Sequence, residues 1–185
     1  MTSKYSHAHS MVGFNPEGRP ENDFYPTPPR GTQALMEHEK FTGNIWECAC
    51  GNGRMSKVIE MYNYEVISTD LEPREYGTQL NFLTAVELLA PNIVTNPPFR
   101  YGQQFMEKAL SLGCEKLCLL NKIQFLEGTK RADAIIKTHL TKVLVFKKRL
   151  TIMREGREQK GGGMMTYAWF VWEKGYTGKP FVEWL

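Results

Sequence analysis

Apolar and polar positions along this chain follow two alternating rhythms. RGTQALMEHEK (residues 30–40) follows two prolines and reads as a helix. NIWECA (44–49) reads as a short strand that stops at Gly51-Asn52-Gly53. RMSKVIEMYN (54–63) has helical spacing through Met55, Val58, Ile59 and Tyr62. YEVISTD (64–70) is a β-branched strand ending on an acid, TAVELLA (84–90) reads as helical, and NIVTN (92–96) as a third strand. QQFMEKALSLG (103–113) is a helix closed by Gly113, and KLCLLN (116–121) is a fourth strand. GTKRADAIIKTH (128–139) reads as a helix. KVLVFKKR (142–149) and TYAWFVWEK (166–174) are two late strands, joined through REGREQKGGG (154–163).

Strands alternating with helices predict an α/β fold, with a largely parallel sheet covered by helices on both faces. Crossovers in such a sheet are right-handed, and ligands collect at the carboxyl ends of the strands near a switch in strand order. Gly51 and Gly53, Asp70, and residues 96–99 all fall at predicted strand ends.

Composition changes this picture little. The chain has 185 residues, 42% hydrophobic and 23% charged, which fits one globular domain. No run approaches the ~18 apolar residues of a membrane span. Residues 1–22 are polar and contain Gly and Pro, with no apolar signal core, and read as a loose arm. The expected location is the cytoplasm. Cys48, Cys50, Cys114 and Cys118 lie in or beside apolar strands at spacings that suit zinc poorly, so reduced buried thiols are expected and no metal.

Charge is unevenly spread. Residues 116–160 hold 12 Lys/Arg against 4 Asp/Glu, which is +8 of a chain total of +3 and leaves −5 elsewhere. A basic segment of this kind is either a solvated surface or a face for phosphate backbones.

ECACGNGRMS places glycines after a strand and before a helix, where backbone can approach a ligand closely. Asp70 closes the next strand 19 residues after Gly51. A carboxylate there can accept both hydroxyls of a ribose, or cap a helix. The third glycine of the dinucleotide fingerprint is missing, which argues against NAD and leaves a nucleoside without a pyrophosphate. Asn81 is placed to meet an adenine edge. Phe82 could pack on its face or belong to the core.

Asn96-Pro97-Pro98-Phe99 follows the third predicted strand. Proline fixes its own φ and pushes the residue before it to an extended conformation. The corner is therefore stiff and rich in acceptors, which suits a substrate NH2 group, and Phe99 can stack on a planar ring. An exocyclic amine is a poor nucleophile because its lone pair is delocalised. Accepting both of its N–H groups, at Asn96 Oδ1 and the Pro97 carbonyl, favours a tetrahedral nitrogen aimed at an electrophile.

From residue 24 to about residue 99 the chain resembles amino-methyltransferases that use S-adenosylmethionine, of the DNA adenine-N6 group and small phage type. FYPTPP (24–29), ECACGNG (47–53), TD with Leu71, NFL (81–83) and NPPF carry the resemblance in order. It implies a single-domain Rossmann-like class I methyltransferase fold over residues 23–185, with a seven-stranded, mostly parallel sheet and an antiparallel last strand. It also implies S-adenosyl-L-methionine as cofactor. Tyr25, Thr27 and Pro28 would border the methionine carboxylate. Glu47 and the backbone of Ala49, Cys50, Gly51 and Gly53 would hold the amino end. Asp70 would take the ribose, and Asn81, Leu71 and Phe82 the adenine. Asn81 departs from the family, which often has Asp there.

The implied activity is methyl transfer to the N6 amine of adenine in DNA, with the base flipped into the pocket. RNA adenine is the alternative acceptor, and a catalytically silent nucleic-acid-binding module the alternative function. Cytosine C5 chemistry needs a cysteine nucleophile, and neither cysteine pair is arranged for it. Arg100, Lys122, Lys147, Lys148, Arg149, Arg154, Arg157 and Lys160 are candidate nucleic-acid contacts. A separate target-recognition domain of ~100 residues does not fit, so sequence recognition falls to short loops, a homodimer or a partner subunit.

Overall fold

Pro28 and Pro29 start the first helix in the way prolines favour, with φ preset and no N–H to satisfy. Helix α1 spans Pro29–His38. The computed structural model describes residues 25–72, 74–152 and 165–185. After α1 come β1 (Ile45–Glu47), α2 (Arg54–Glu60), β2 (Val66–Asp70), β3 (Thr78–Gln79), β4 (Asn92–Thr95) and α3 (Gly102–Ser111). Then follow β5 (Lys116–Lys122), α4 (Thr129–Lys137), β6 (Lys142–Val145), β7 (Tyr167–Glu173) and β8 (Phe181–Trp184). The expected arm at 1–22 lies outside the described residues.

The strands form one sheet in the order β3-β2-β1-β4-β5-β7-β6-β8. β7 is inserted antiparallel between β5 and β6, while the other pairings are parallel. The fold is α/β and Rossmann-like. An antiparallel strand is present as expected, but it is β7 and not the last strand, since β8 follows it and pairs parallel with β6. The chain order reverses direction at β1/β4, so the carboxyl ends of β1, β2 and β4 converge on one crevice.

Side-chain alternation on β5 explains the two cores. Leu117 and Leu119 face one layer with Phe105 and Met106 of α3 and Ile135 of α4. Cys118 and Leu120 face the other, with Leu35 and Met36 of α1 and Met55 and Ile59 of α2. Helices therefore cover both faces. Trp169, fully buried on β7, donates its indole N–H to the Gly31 carbonyl at 2.9 Å and pins α1 to the sheet.

Opposite the carboxyl ends, Glu39 is 3% exposed and holds Lys116 and Lys142 at 2.8 and 2.9 Å. Burial opposes ionisation there, but the two ammonium groups win and keep the carboxyl below its ordinary range. Two members of the basic segment are thus committed to the protein's own interior.

Three expectations are corrected. TAVELLA is not a helix. Phe82–Thr84 forms a single 3-10 turn capped by Asn81, and Val86 stands 93% exposed. Ala85 and Ala90 are buried and Leu88 and Leu89 pack on the core, but seven residues ahead of Pro91 are too few to offset helix nucleation. Among the described residues the sheet has eight strands instead of seven, since β8 adds to β6 at the edge. β6 stops at Val145, so Lys147–Arg149 leave the ladder.

Candidate functional site

A cavity of about 320 Å³ opens at the carboxyl ends of β1, β2 and β4. That is within the usual size for a small-molecule site. Its floor is built by the loop after β1. Gly51 donates its N–H to Asp70 Oδ2 at 2.8 Å, and Glu72 donates to Asp70 Oδ1 at 2.9 Å. Asp70 therefore ties the loop to the end of β2 and closes its own turn. Among the described residues the next element after it is β3 and not a helix, which removes the helix-cap alternative. Gly53 has φ 75°, and a Cβ there would lie 2.3 Å from the Tyr76 ring. Glycine is required twice at this position, by conformation and by space.

Glu47 is fully buried beside this loop and lines the cavity. Burial pushes its carboxyl up to about 8, and the charges of Asp70 and Glu60 add to the push. The Ser56 hydroxyl, which donates to Glu47, opposes it without cancelling it. A cationic group entering the cavity would reverse this penalty. The four cysteines are buried and their thiols are pushed up, Cys50 and Cys114 to about 12. Among the described residues no group of three or more His, Cys, Asp or Glu is placed to hold a metal.

At the other wall stands Asn96. Its Nδ2 donates to the Tyr25 carbonyl at 3.1 Å and to Thr27 Oγ1 at 3.0 Å. A carbonyl can only accept, so the amide orientation follows from chemistry. Asn96 Oδ1 is left buried with no hydrogen-bond partner. Such an atom is costly, on the order of 1–3 kcal/mol, and calls for a donor. Pro98 opens a 3-10 turn, Phe99–Tyr101, that leads straight into α3. Gly102 lets that helix approach Asn121 Nδ2, which a Cβ would meet at 2.2 Å.

Most of the sequence candidates meet here. Tyr25, Thr27, Glu47, Ala49, Cys50, Asp70, Leu71, Asn81, Phe82, Asn96 and Pro98 all line the cavity. Gly51 and Gly53 shape the loop behind it, Pro28 caps α1, and Pro97 is buried. Two side chains are engaged differently from expectation. Asn81 Oδ1 accepts the Leu83 N–H at 3.1 Å, so its amide oxygen already has a donor. Phe99 stacks on Tyr25 at 6.0 Å and leans on Tyr167 at 5.5 Å, so its ring packs on the protein itself. Phe82 fills both of its readings: it packs on Trp46 and Phe105 in the core and also reaches the cavity.

Tyr101, which flanks the Asn96–Phe99 corner beside Arg100, lines the cavity too, and so do Arg54, Arg74 and Phe105, which were not singled out from sequence. Arg54 was legible, since it follows Gly53 at the start of α2. The others depend on tertiary folding. Arg100 reaches the cavity and lies 4.6 Å over the Tyr101 ring. Lys122 ends β5 and sits 5.1 Å over the Phe99 ring. Lys147, Lys148 and Arg149 are exposed beyond the carboxyl end of β6, at the same end of the sheet as Asn96. Arg154, Arg157 and Lys160 lie outside the described residues.

No protein-family model matches the chain, and no curated protein does. Solved structures do match. The methyltransferase subunit of a type I restriction-modification system from Streptococcus thermophilus aligns with a TM-score of 0.64 at 9% identity, covering 89% of this chain and 48% of that one. A presumptive RNA methyltransferase from Pyrococcus horikoshii aligns at 0.62 and 13%, covering 90% and 96%. The M protein of the type I restriction enzyme EcoKI aligns at 0.59 and 15%, covering 84% and 45%. The chain thus has a methyltransferase fold, and spans about half the length of the restriction-modification subunits it resembles. Among the described residues no helix is long and apolar enough to cross a membrane.

Proposed function

We propose that this protein transfers a methyl group from S-adenosyl-L-methionine to the exocyclic N6 amine of adenine in DNA. The observation that carries the reading is Asn96 Oδ1, an acceptor held buried and unpartnered at the cavity wall. An amine supplies the donor it lacks. Fold likeness to modification subunits of restriction systems supports the class of chemistry.

The residues present fit the cofactor. Glu47, desolvated and short of a counter-ion, suits the methionine ammonium. Asp70 keeps further lone pairs for ribose hydroxyls beyond the two backbone N–H groups it accepts. Leu71 and Phe82 give the adenine apolar faces. Asn81, with its oxygen turned inward, offers its Nδ2 to a ring nitrogen. Bound there, the cofactor supplies an activated methyl group on sulfur.

The chain's own task is positioning. Asn96 Oδ1 and the Pro97 carbonyl accept the two N–H groups of the target amine, which draws the nitrogen lone pair out of ring conjugation. S-adenosylmethionine held there would supply the methyl group and keep the bonding electron pair on its sulfur, while Asn96 and Pro97 would hold the accepting nitrogen in line with it. The nitrogen then gives up one proton to solvent, so no strong base is needed beforehand. Arg100, Lys122 and Lys147–Arg149 lie at the same end of the sheet and suit a phosphate backbone. Short loops, a second copy or a partner subunit would read sequence. The likeness to an RNA methyltransferase favours RNA as a second acceptor.

The test is labelled methyl transfer to duplex DNA, single-stranded DNA and RNA, followed by nucleoside analysis. N6-methyladenine in DNA is expected. Label found in RNA alone would overturn the acceptor, and no transfer to any of the three would overturn the activity.

A further inference from the structure

We infer that Thr27 is a positioning residue for Asn96, and that together with the Tyr25 carbonyl it makes the site selective for an amine over a carbonyl. The inference rests on the function proposed above and deepens it. A free primary amide can turn over and offer either its oxygen or its NH2 to a substrate. Here the turn is blocked. Both Nδ2 hydrogens are used, one by the Tyr25 carbonyl at 3.1 Å and one by Thr27 Oγ1 at 3.0 Å. Reversing the amide would set Oδ1 against the Tyr25 carbonyl and strand both donors. Only an acceptor therefore faces the substrate. A planar ring carrying NH2 is matched, and one carrying a carbonyl at the same place meets oxygen against oxygen.

Thr27 is itself buried, just ahead of the helix that Pro28 and Pro29 begin. Its hydroxyl is fixed in space by α1, which Trp169 pins to the sheet. The short segment 25–27 thus joins the catalytic corner to the core. The two partners of Asn96 are 71 and 69 residues distant in sequence, so the relation becomes visible only on folding.

The test compares Thr27→Val, which keeps shape and loses the acceptor, with Thr27→Ser, which restores it. In protein labelled with 15N-asparagine, the Asn96 side-chain resonances are assigned by their loss in Asn96→Ala. Thr27→Val is expected to speed exchange of one Asn96 Nδ2 hydrogen about tenfold, and Thr27→Ser to return it to the wild-type rate. In methyl transfer, Thr27→Val is expected to lower kcat about tenfold with the KM for S-adenosylmethionine within about twofold. Unchanged exchange in Thr27→Val overturns the inference. So does a raised cofactor KM with unchanged kcat, which would make Thr27 a cofactor contact only. A wild-type protein that transfers no methyl group overturns the proposed function instead, and the exchange rates then decide the clamp by themselves.

Discussion

Asp70 Oδ2 accepts the Gly51 N–H at 2.8 Å, binding the end of one strand to the loop that follows its neighbour. Nineteen residues separate the two, yet they form one structural unit. The carboxylate thus holds the loop after β1 in shape. Asp70→Ala should therefore do more than remove a ribose partner. The freed Gly51 and Glu72 N–H groups lose their acceptor, at a cost of about 1–3 kcal/mol. Chemical denaturation should show that loss, together with loss of S-adenosylmethionine binding by calorimetry. Unchanged stability would mean that the loop holds itself.

Gly53→Ala tests the same loop from the other side. A side chain would collide with the Tyr76 ring at a φ of 75°. Strain on the order of 1–3 kcal/mol is expected. Removing the ring as well, in Gly53→Ala with Tyr76→Ala, should recover the steric part and leave the backbone part. If the double variant is no more stable than the single, the ring is not the obstacle.

These two residues show which features were legible in sequence. Gly51, Gly53, Asp70 and Asn96 were readable because each sits where a strand period breaks, and strand ends in an α/β sheet converge. The antiparallel β7 was expected through the resemblance, and its pairing with β5 matches. TAVELLA misled because its composition favours a helix, while seven residues ahead of Pro91 are too few to nucleate one and its apolar residues reach the core without it. β8 was hidden by the Gly and Pro residues ahead of it and by a pairing with β6 across 39 residues. Phe99 could not be placed, because its partners Tyr25 and Tyr167 come from opposite ends of the chain.

Glu39 carries the second ionic prediction. Glu39→Gln leaves Lys116 and Lys142 to share Glu173, which lies 3.2 and 3.6 Å from them. Breaking a buried pair costs about 3–5 kcal/mol, and the cost here falls below that because Glu173 still serves both lysines and both keep some water. The sign with pH follows from the lowered carboxyl. Its contribution is fully present above the ordinary carboxyl value of about 4.5 and is lost as pH falls below that through its lowered folded value. Wild type and Glu39→Gln should therefore converge in stability as the medium is acidified. A constant difference down to strongly acid pH would contradict the ion-pair account.

Asn96→Asp distinguishes a held amide from a merely polar corner. An ionised carboxylate would place negative oxygen against the Tyr25 carbonyl, where the amide placed a donor. Charge there is disfavoured, so the acid's pKa should rise. Methyl transfer should be weak at neutral pH and should recover as pH falls and the carboxyl regains a proton. Asn96→Ala should abolish transfer while S-adenosylmethionine still binds. Retained turnover in Asn96→Ala would remove the residue from the mechanism.

Glu47 gives the cofactor half of the site its own signature. Its carboxyl sits at about 8, so at pH 7 most molecules carry it protonated. The cofactor's ammonium needs it ionised. Binding at pH 7 should therefore release close to one proton, measurable by calorimetry in two buffers of different ionisation enthalpy. Glu47→Gln should bind more weakly and release none. Stability carries the opposite slope. The folded protein holds this proton between about 4.5 and 8 while the unfolded chain does not, so the contribution of Glu47 is present at low pH and is lost as pH rises through that window. Glu47→Gln should gain on wild type across the same interval. Cofactor binding that releases no proton from the wild-type protein would place the ammonium elsewhere in the cavity.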